Sequence, residues 1–141
     1  MATDGTADEL IIVGCSRRKL DTATPVAALE LYLGCCFPQL RGRIASSPRH
    51  RVRVLILSAL HGLITADTPL LPYDVRMTPE RATELRAACT AVLADIPRSE
   101  TLLLMEHGYS RALPDRAGRL IADPVGSWPE VATVLDSWGW P

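Results

Sequence analysis

The chain contains three short, almost wholly apolar runs, at residues 10–13, 54–57 and 101–105. Runs of this length, rich in branched aliphatic residues, are typical of strands buried on both faces of a parallel sheet. The second run continues an alternating stretch and predicts a strand over 51–58. A weaker apolar segment predicts a fourth strand at 120–122. The pattern therefore indicates a sheet whose strands are separated by longer connections.

Helical periodicity lies between these strands and is clearest over residues 80–96. Apolar side chains recur at helical spacing on one face of that segment, at Leu85, Ala88, Cys89, Val92, Leu93 and Ile96. We expect further helices over 26–33, over 39–45 and from Ser127 onward. Because strands alternate with helices, we predict an α/β fold, a three-layer sandwich with a mainly parallel central sheet.

The composition is that of a globular protein of ordinary polarity. The 141 residues are 48% hydrophobic and 22% charged, and the net charge of −1 argues against a general polyanion binder. We expect a single domain over 9–141, preceded by a flexible tail at 1–8. No apolar run has the length of a membrane span, and the tail lacks the features of a signal peptide. A cytoplasmic location without membrane contact is therefore expected.

The number and spacing of the cysteines limit the redox and metal sites that the sequence supports. In a reducing compartment we expect all four to be free thiols, namely Cys15, Cys35, Cys36 and Cys89. They form no CxxC pair, so the sequence supports neither a zinc ribbon nor a thioredoxin motif. Cys89 falls on the apolar face of the 80–96 helix and is expected in the core. We predict no metal and no cofactor.

Polar side chains follow each of the predicted buried strands. Cys15 and Lys19 follow the first strand, Ser58 and His61 the second, and His107 and Tyr109 the third. The carboxyl ends of parallel strands meet at one edge of a sheet, where open α/β folds bind their ligands. We therefore predict an active site at that edge.

The candidate catalytic residues are Cys15, His61 and Asp74. The cations at 17–19 favour the thiolate of Cys15 and so a nucleophile, the alternative being a small buried residue at a strand end. Histidine titrates near neutral pH, so His61 suits acid–base catalysis unless it is an ordinary turn residue. Asp74 would orient His61 or activate water, or else belong to an ordinary loop. Gly62 would allow a ligand to approach the backbone closely.

A second set of side chains is expected to hold the ligand. The predicted substrate-binding residues are Ser16, Arg18, Lys19, Tyr32, Ser58, Gly62, Tyr73, Gly108 and Tyr109. Ser16, Arg18 and Lys19 would hold a phosphate or a sugar, and Lys19 is also a candidate amine nucleophile. Tyr32 or Tyr73 would stack on a base, the alternative being packing in the core.

Five segments of the chain together resemble one family. They read GCSRRK at 14–19, LY at 31–32, ILSALHGLI at 56–64, PYD at 72–74 and HGYSRAL at 107–113. This combination resembles the DUF6884 family of small bacterial and phage proteins, over most of the chain. The family commonly has a lysine at the position of Leu60, and it spaces its glycine and tyrosine further apart than Gly108 and Tyr109.

The spacing of Cys15 and Lys19 also resembles a motif in the lysine-transferring domain of archaeosine synthase, which modifies a 7-deazaguanine base in transfer RNA. Ser58 and His61 match more loosely, and Leu20 stands where that motif continues with proline. The resemblance implies a fold like that of uracil-DNA glycosylase. It also implies a role in handling a nucleobase or nucleoside.

The expected function is the processing of a nucleoside, nucleotide or nucleobase, with cleavage or exchange of the N-glycosidic bond as the leading reaction. Covalent base modification through Cys15 or Lys19 is the second hypothesis. A non-catalytic module that binds a nucleotide or nucleic acid is the third. The expected partner is a small nucleoside or nucleotide, with nucleic acid as the alternative. Trp138 and Trp140 are expected to pack in the core or to form a homodimer contact.

Overall fold

The structure, a computed structural model, describes residues 8–141, in which helices flank a five-stranded sheet. In chain order the elements are β1 (Leu10–Gly14), β2 (Val26–Ala27), α1 (Ala28–Leu31), α2 (Phe37–Ile44), α3 (Pro48–Arg51), β3 (Val54–Ser58), β4 (Gly62–Thr65), β5 (Pro69–Leu70), α4 (Pro79–Ala94), β6 (Thr101–Leu104), α5 (His107–Ser110), β7 (Arg119–Ile121) and α6 (Trp128–Ser137).

Strand β1 is the centre of the sheet, whose strand order is β4-β3-β1-β6-β7. β3 and β6 pair with β1 in parallel, so that Val13 lies between Ile56 and Leu104. β7 continues the parallel arrangement beyond β6, whereas β4 is antiparallel to β3. Strands β2 and β5 form a separate antiparallel pair. The mainly parallel central sheet that the sequence predicts is therefore confirmed.

The side chains of β1 alternate between two apolar layers. Ile11 and Val13 belong to a layer that contains the buried faces of α1, α2 and α6. Leu10 and Ile12 belong to the opposite layer, which contains the buried face of α4. Because helices cover both faces, every position of the strand is buried, and this explains its unbroken apolar run.

The helix predicted over 26–33 is only partly correct. Its first two residues form β2, and the helical part is limited to Ala28–Leu31. Val26 and Ala27 pair in antiparallel fashion with Leu70 and Pro69 of β5. Pairing with this distant segment holds the start of the predicted helix in an extended conformation.

The strand predictions need two corrections. The strand expected over 51–58 begins only at Val54, because Pro48–Arg51 forms the short helix α3. The sequence pattern does not predict the hairpin strand Gly62–Thr65, since its burial runs from buried Gly62 to exposed Thr65 without alternation. Its antiparallel pairing with β3 adds an edge to the sheet without changing the direction of the central strands.

Helix α4 is confirmed, but its buried stripe differs from the predicted one. The buried residues are Ala82, Leu85, Cys89 and Leu93. Ala88 and Val92 are exposed, because the stripe repeats at intervals of three and four residues and passes beside them. Cys89 lies in the core, as expected.

Both ends of the described chain are held to the domain. The carbonyl of Asp8 accepts a hydrogen bond from the N–H of Ser99, at 3.0 Å. The remainder of the tail predicted at 1–8 lies outside the described residues. Trp140 is buried, packs against Trp138 with ring centroids 5.4 Å apart, and donates from Nε1 to the carboxylate of Glu9 at 3.1 Å. Within residues 8–141, no helix is long and apolar enough to cross a membrane.

Candidate active site

The connections that follow β1 and β6 run in opposite directions across the sheet. The chain passes from β1 to β3 on one side and from β6 to β7 on the other. Open α/β sheets bind ligands at such a switch point, outside the carboxyl ends of the strands. A cleft of about 590 Å³, here called the main cleft, opens at this point. Its walls include Cys15, Arg17, Arg18, Cys35, Arg76, Glu106, Tyr109 and Asp123.

A smaller recess of about 220 Å³, here called the side recess, adjoins the main cleft. It is lined by Cys15, Ser16, Arg17, Lys19, Asp74, Val75, Arg76 and Tyr109. Cys15, Arg76 and Tyr109 line both spaces, so a ligand seated in one has access to the other. The main cleft has the size of ordinary small-molecule sites.

Cys15 lies where the main cleft and the side recess meet, and only 8% of its surface is exposed. Its backbone N–H donates to the carbonyl of Leu57, which continues the pairing of β1 with β3. Its sulfur lies 3.6 Å from the hydroxyl oxygen of Tyr109. Burial raises the pKa of Tyr109, so this hydroxyl keeps its proton at neutral pH and can donate to the sulfur.

Gly14 makes this contact sterically feasible. A Cβ atom at position 14 would lie 3.0 Å from Cβ of Met105 and 3.2 Å from Cδ2 of Tyr109. Both distances are at or inside the lower limit of ordinary carbon contacts. The glycine that ends β1 therefore leaves the space in which the Tyr109 ring reaches Cys15.

Two tyrosines and a serine form a hydrogen-bonded chain beside the side recess. The hydroxyl of Tyr73 lies 2.6 Å from that of Tyr32 and 2.6 Å from Oγ of Ser58. Ser58 Oγ already accepts from the backbone N–H groups of Leu60 and His61. Its own proton must therefore be donated to Tyr73, which in turn donates to Tyr32.

These hydrogen bonds give the tyrosines a structural role. Tyr32 is fully buried, so its ring cannot stack on a base, and burial raises its pKa to about 12. Burial also raises the pKa of Tyr73, whose side chain remains partly exposed. Asp74 lies in the same loop as Tyr73. The hydrogen bonds of Tyr73 therefore attach this loop to the end of β3.

Lys19 is held against the same tyrosines. Its ammonium nitrogen lies 4.4 Å from the ring centroid of Tyr73 and 5.8 Å from that of Tyr32. Such cation–π contacts contribute about 0.5–1 kcal/mol at partly exposed sites. The backbone of Lys19 also pairs with that of Tyr32. The amine is thereby positioned in the side recess with Asp74.

Ser16 shapes the loop after β1 instead of presenting a free hydroxyl. Its Oγ donates to the carbonyl of Arg18 at 2.7 Å and accepts from the N–H of Gly34 at 3.1 Å. A Cβ atom on Gly34 would lie 3.1 Å from Cβ of Ser16, so the two segments are closely apposed. The side chains of Arg17 and Arg18 extend from this fixed loop and are exposed.

Cys35 is a second thiol of the main cleft. It is half-buried, and its φ of 51° lies in the left-handed region that favours glycine. A hydrogen bond with the thiol of the adjacent Cys36 lowers the pKa of Cys35 to about 7. Cys36 is buried, and the same contact raises its pKa. Among the described residues, no group of His, Cys, Asp and Glu side chains is arranged to hold a metal ion.

The sequence model of DUF6884, a family of unknown function, matches residues 10–107. The chain belongs to the DUF6884 family. No curated protein and no solved structure matches it. The family resemblance drawn from the motifs is thus confirmed, while the more distant relationship to archaeosine synthase stays a prediction.

The DUF6884 match contains most of the residues that the structure brings together. The side recess combines Cys15, Lys19 and Asp74 from two separate motifs of the family segment. Tyr109, which lies beyond the end of the match, completes the wall. Ser58 contributes indirectly, through its hydrogen bond to Tyr73.

Besides Tyr32, Ser58 and Tyr73 of the hydrogen-bonded chain, three further predicted site residues of this DUF6884 protein lie outside both spaces. His61 is exposed, and its ring packs edge-on against Tyr73 with centroids 5.4 Å apart. Gly62, at a φ of 77°, is the first residue of β4 and follows the turn of the β3–β4 hairpin directly. Gly108 lies in α5, with no atom within 4 Å of a Cβ placed on it. A direct role of these three residues stays a prediction.

Sequence reasoning missed several residues of the main cleft. They are Cys35, Arg76, Glu106 and Asp123, and the sequence indicates Arg17 only as one of the cations at 17–19. Glu106 and Asp123 had a usable signal, since each follows closely on the end of a predicted strand. Arg76 had none, because only the folded path of the loop after β5 brings it to the cleft.

Proposed function

We propose that this DUF6884 protein is an enzyme that processes a nucleoside, nucleotide or modified nucleobase by cleaving or exchanging its N-glycosidic bond. The main support is the shared position of Asp74, Lys19 and Cys15 in one recess, next to the cleft at the switch point. A carboxylate and a cation are the groups that this reaction needs, the first to activate water and the second to assist the leaving base.

In the proposed reaction, water attacks the anomeric carbon while the bond to the base nitrogen breaks. Asp74 accepts a proton from the water, and the ammonium group of Lys19 donates a proton to the departing nitrogen. One water molecule is consumed, and the free base and the sugar with a new hydroxyl group are released. In an exchange reaction, a second base takes the place of water. Since His61 lies outside the side recess, we assign it to positioning Tyr73.

Covalent base modification through Cys15 or Lys19 is the second candidate. A thiol and an amine share the side recess, and either group can attack an electrophilic carbon of a base. This arrangement supports the proposed relationship to the lysine-transferring domain of archaeosine synthase. A fold of the uracil-DNA glycosylase type belongs to the same proposal, for which the mainly parallel sheet is the support.

Mass-spectrometric turnover assays test the two candidates. The purified protein would be incubated with nucleosides, nucleotides and 7-deazapurine derivatives, alongside D74N, K19M, C15S and H61A variants. D115N is the matched control, because Asp115 is an exposed carboxylate paired with Arg86 that lines neither space.

We expect release of a free base that D74N and K19M abolish and D115N retains. A covalent adduct that disappears in C15S or K19M would favour base modification instead. If no substrate turns over while ligands still raise the melting temperature of all variants, the protein is a binding module and the catalytic proposal fails.

A further inference from the structure

Three arginines of the main cleft are unlike most others in the chain. Within residues 8–141, the guanidinium groups of Arg17, Arg18 and Arg76 have no hydrogen-bond or ion-pair partner, and all three side chains are exposed. Most arginines instead donate to carbonyl or carboxylate oxygens, namely Arg41, Arg43, Arg51, Arg53, Arg81, Arg86, Arg98 and Arg119. Three unpaired cations at one cleft give it a positive potential that attracts anions.

The guanidinium group is suited to phosphate, because its planar fork donates two parallel hydrogen bonds to two oxygens. Ser16 and Lys19 are the two other residues that the sequence predicts to hold a phosphate, and both already have partners. The hydroxyl of Ser16 is bonded within its loop, and the amine of Lys19 lies over Tyr73 in the side recess. The arginines are therefore the free donors of the main cleft.

The charge of the remaining wall limits the kind of phosphate. Glu106 and Asp123 line the same cleft, following β6 and β7. Because β7 lies two strands from β1, the end of β7, which Asp123 follows, is roughly 10 Å from the end of β1. An extended polyanion in the cleft would meet both carboxylates. A ligand with one terminal phosphate would not.

We propose that the main cleft binds the terminal phosphate of a nucleoside monophosphate through Arg17, Arg18 and Arg76. Arg17 and Arg76 also line the side recess, so the nucleoside part extends from the phosphate towards Asp74 and Cys15. This assignment rests on the proposed function, since that function supplies the nucleoside. It adds that the substrate is a monophosphate, in preference to a free nucleoside or a nucleic acid.

Isothermal titration calorimetry tests the assignment, using adenosine, guanosine, cytidine and uridine, their 5′-monophosphates and triphosphates, and a short oligonucleotide. We expect at least one monophosphate to bind roughly tenfold or more tightly than its nucleoside. R18Q and R76Q should remove that preference, lowering the affinity for the monophosphate far more than the affinity for its nucleoside. R18K should lose most of it, because lysine keeps the charge but lacks the planar fork. R49Q is the matched control, since Arg49 is also exposed but lines neither space.

The assignment is overturned if a monophosphate and its nucleoside bind equally, if the oligonucleotide or triphosphate binds most tightly, or if no monophosphate binds. Its failure is distinguishable from that of the proposed function. Turnover of nucleosides without a phosphate preference would leave the function standing and refute the monophosphate. A preference for the monophosphate that depends on the arginines, without any turnover, would support the monophosphate site and refute the proposed function.

Discussion

The hydroxyl oxygens of Tyr32 and Tyr73 lie 2.6 Å apart, although 41 positions separate the two residues in the chain. Tyr73 belongs to the loop that carries Asp74, whereas Tyr32 is fixed at the end of α1 and is fully buried. This contact therefore sets the distance between the Asp74 loop and the body of the domain.

Replacing Tyr73 with phenylalanine should test that role. Y73F leaves the proton of Ser58 and the oxygen of Tyr32 without their partner, and we expect a loss of about 1–3 kcal/mol in the free energy of unfolding. Urea denaturation measures the loss. A cycle with Y32F and the double variant gives the coupling between the two hydroxyls, and a coupling near zero would show that their contact does not stabilise the loop.

The two glycines Gly14 and Gly42 should respond oppositely to the same change. G14A places a methyl group 3.0 Å from Cβ of Met105 and should cost about 1–3 kcal/mol of stability. G42A adds a methyl group to helix α2 with no atom within 4 Å, and should stabilise the protein by about 0.4–1 kcal/mol. Thermal and urea denaturation of both variants decide the matter. Equal effects would mean that the contact at the end of β1 relaxes without cost.

The buried strands could be predicted from the sequence because each is an apolar run covered on both faces. The position of Cys15 at the sheet edge followed from the same pattern, since it comes directly after β1. The order of the strands could not be predicted, because β1 lies between β3 and β6 only through packing of the whole chain. The sequence pattern assigns Cys15 and Asp74 to one candidate site, but it does not indicate that Arg76 of the same loop lies there as well.

Arg76 shows why part of the site escaped prediction. It stands five positions before Arg81, and both residues are arginines near the start of α4. Arg81 donates to the carbonyls of Ala59 and Leu60, whereas Arg76 lines the main cleft. Only the tertiary path of the loop distinguishes the two, and local sequence patterns do not record that path.

The ionisation of tyrosine should destabilise the protein at high pH. Burial raises the pKa of Tyr32 to about 12 and also raises that of Tyr73 and Tyr109, against an ordinary value of 10.0. Above pH 10 the unfolded chain therefore releases tyrosine protons that the folded chain still binds, and stability falls as the pH rises. The stabilising contribution of Tyr32 is complete below pH 10 and is lost between about pH 10 and 12.

Absorbance at 295 nm and circular dichroism, followed together during a titration with base, measure this coupling. We expect the three tyrosines to ionise together with unfolding. Free titration of one tyrosine near pH 10 in the folded protein would contradict the burial of its hydroxyl.

Cys35 should be the first thiol to react with iodoacetamide. It is half-buried, whereas Cys15, Cys36 and Cys89 are buried. Because its pKa is lowered to about 7, the thiolate fraction and the alkylation rate should rise between pH 6 and 8 and then level off. Peptide mapping by mass spectrometry identifies the modified residue.

The C36A variant tests the cause of this reactivity. Removing the Cys36 thiol removes the hydrogen bond that favours the thiolate of Cys35, so the midpoint of the alkylation profile should move up towards the ordinary value of 9.0. C89A, which removes a buried thiol elsewhere in the core, should leave the midpoint unchanged. If Cys15 reacts first, Cys35 is not the most accessible thiol of the main cleft. If C36A leaves the alkylation profile unchanged, the contact with Cys36 is not the cause of the lowered pKa of Cys35.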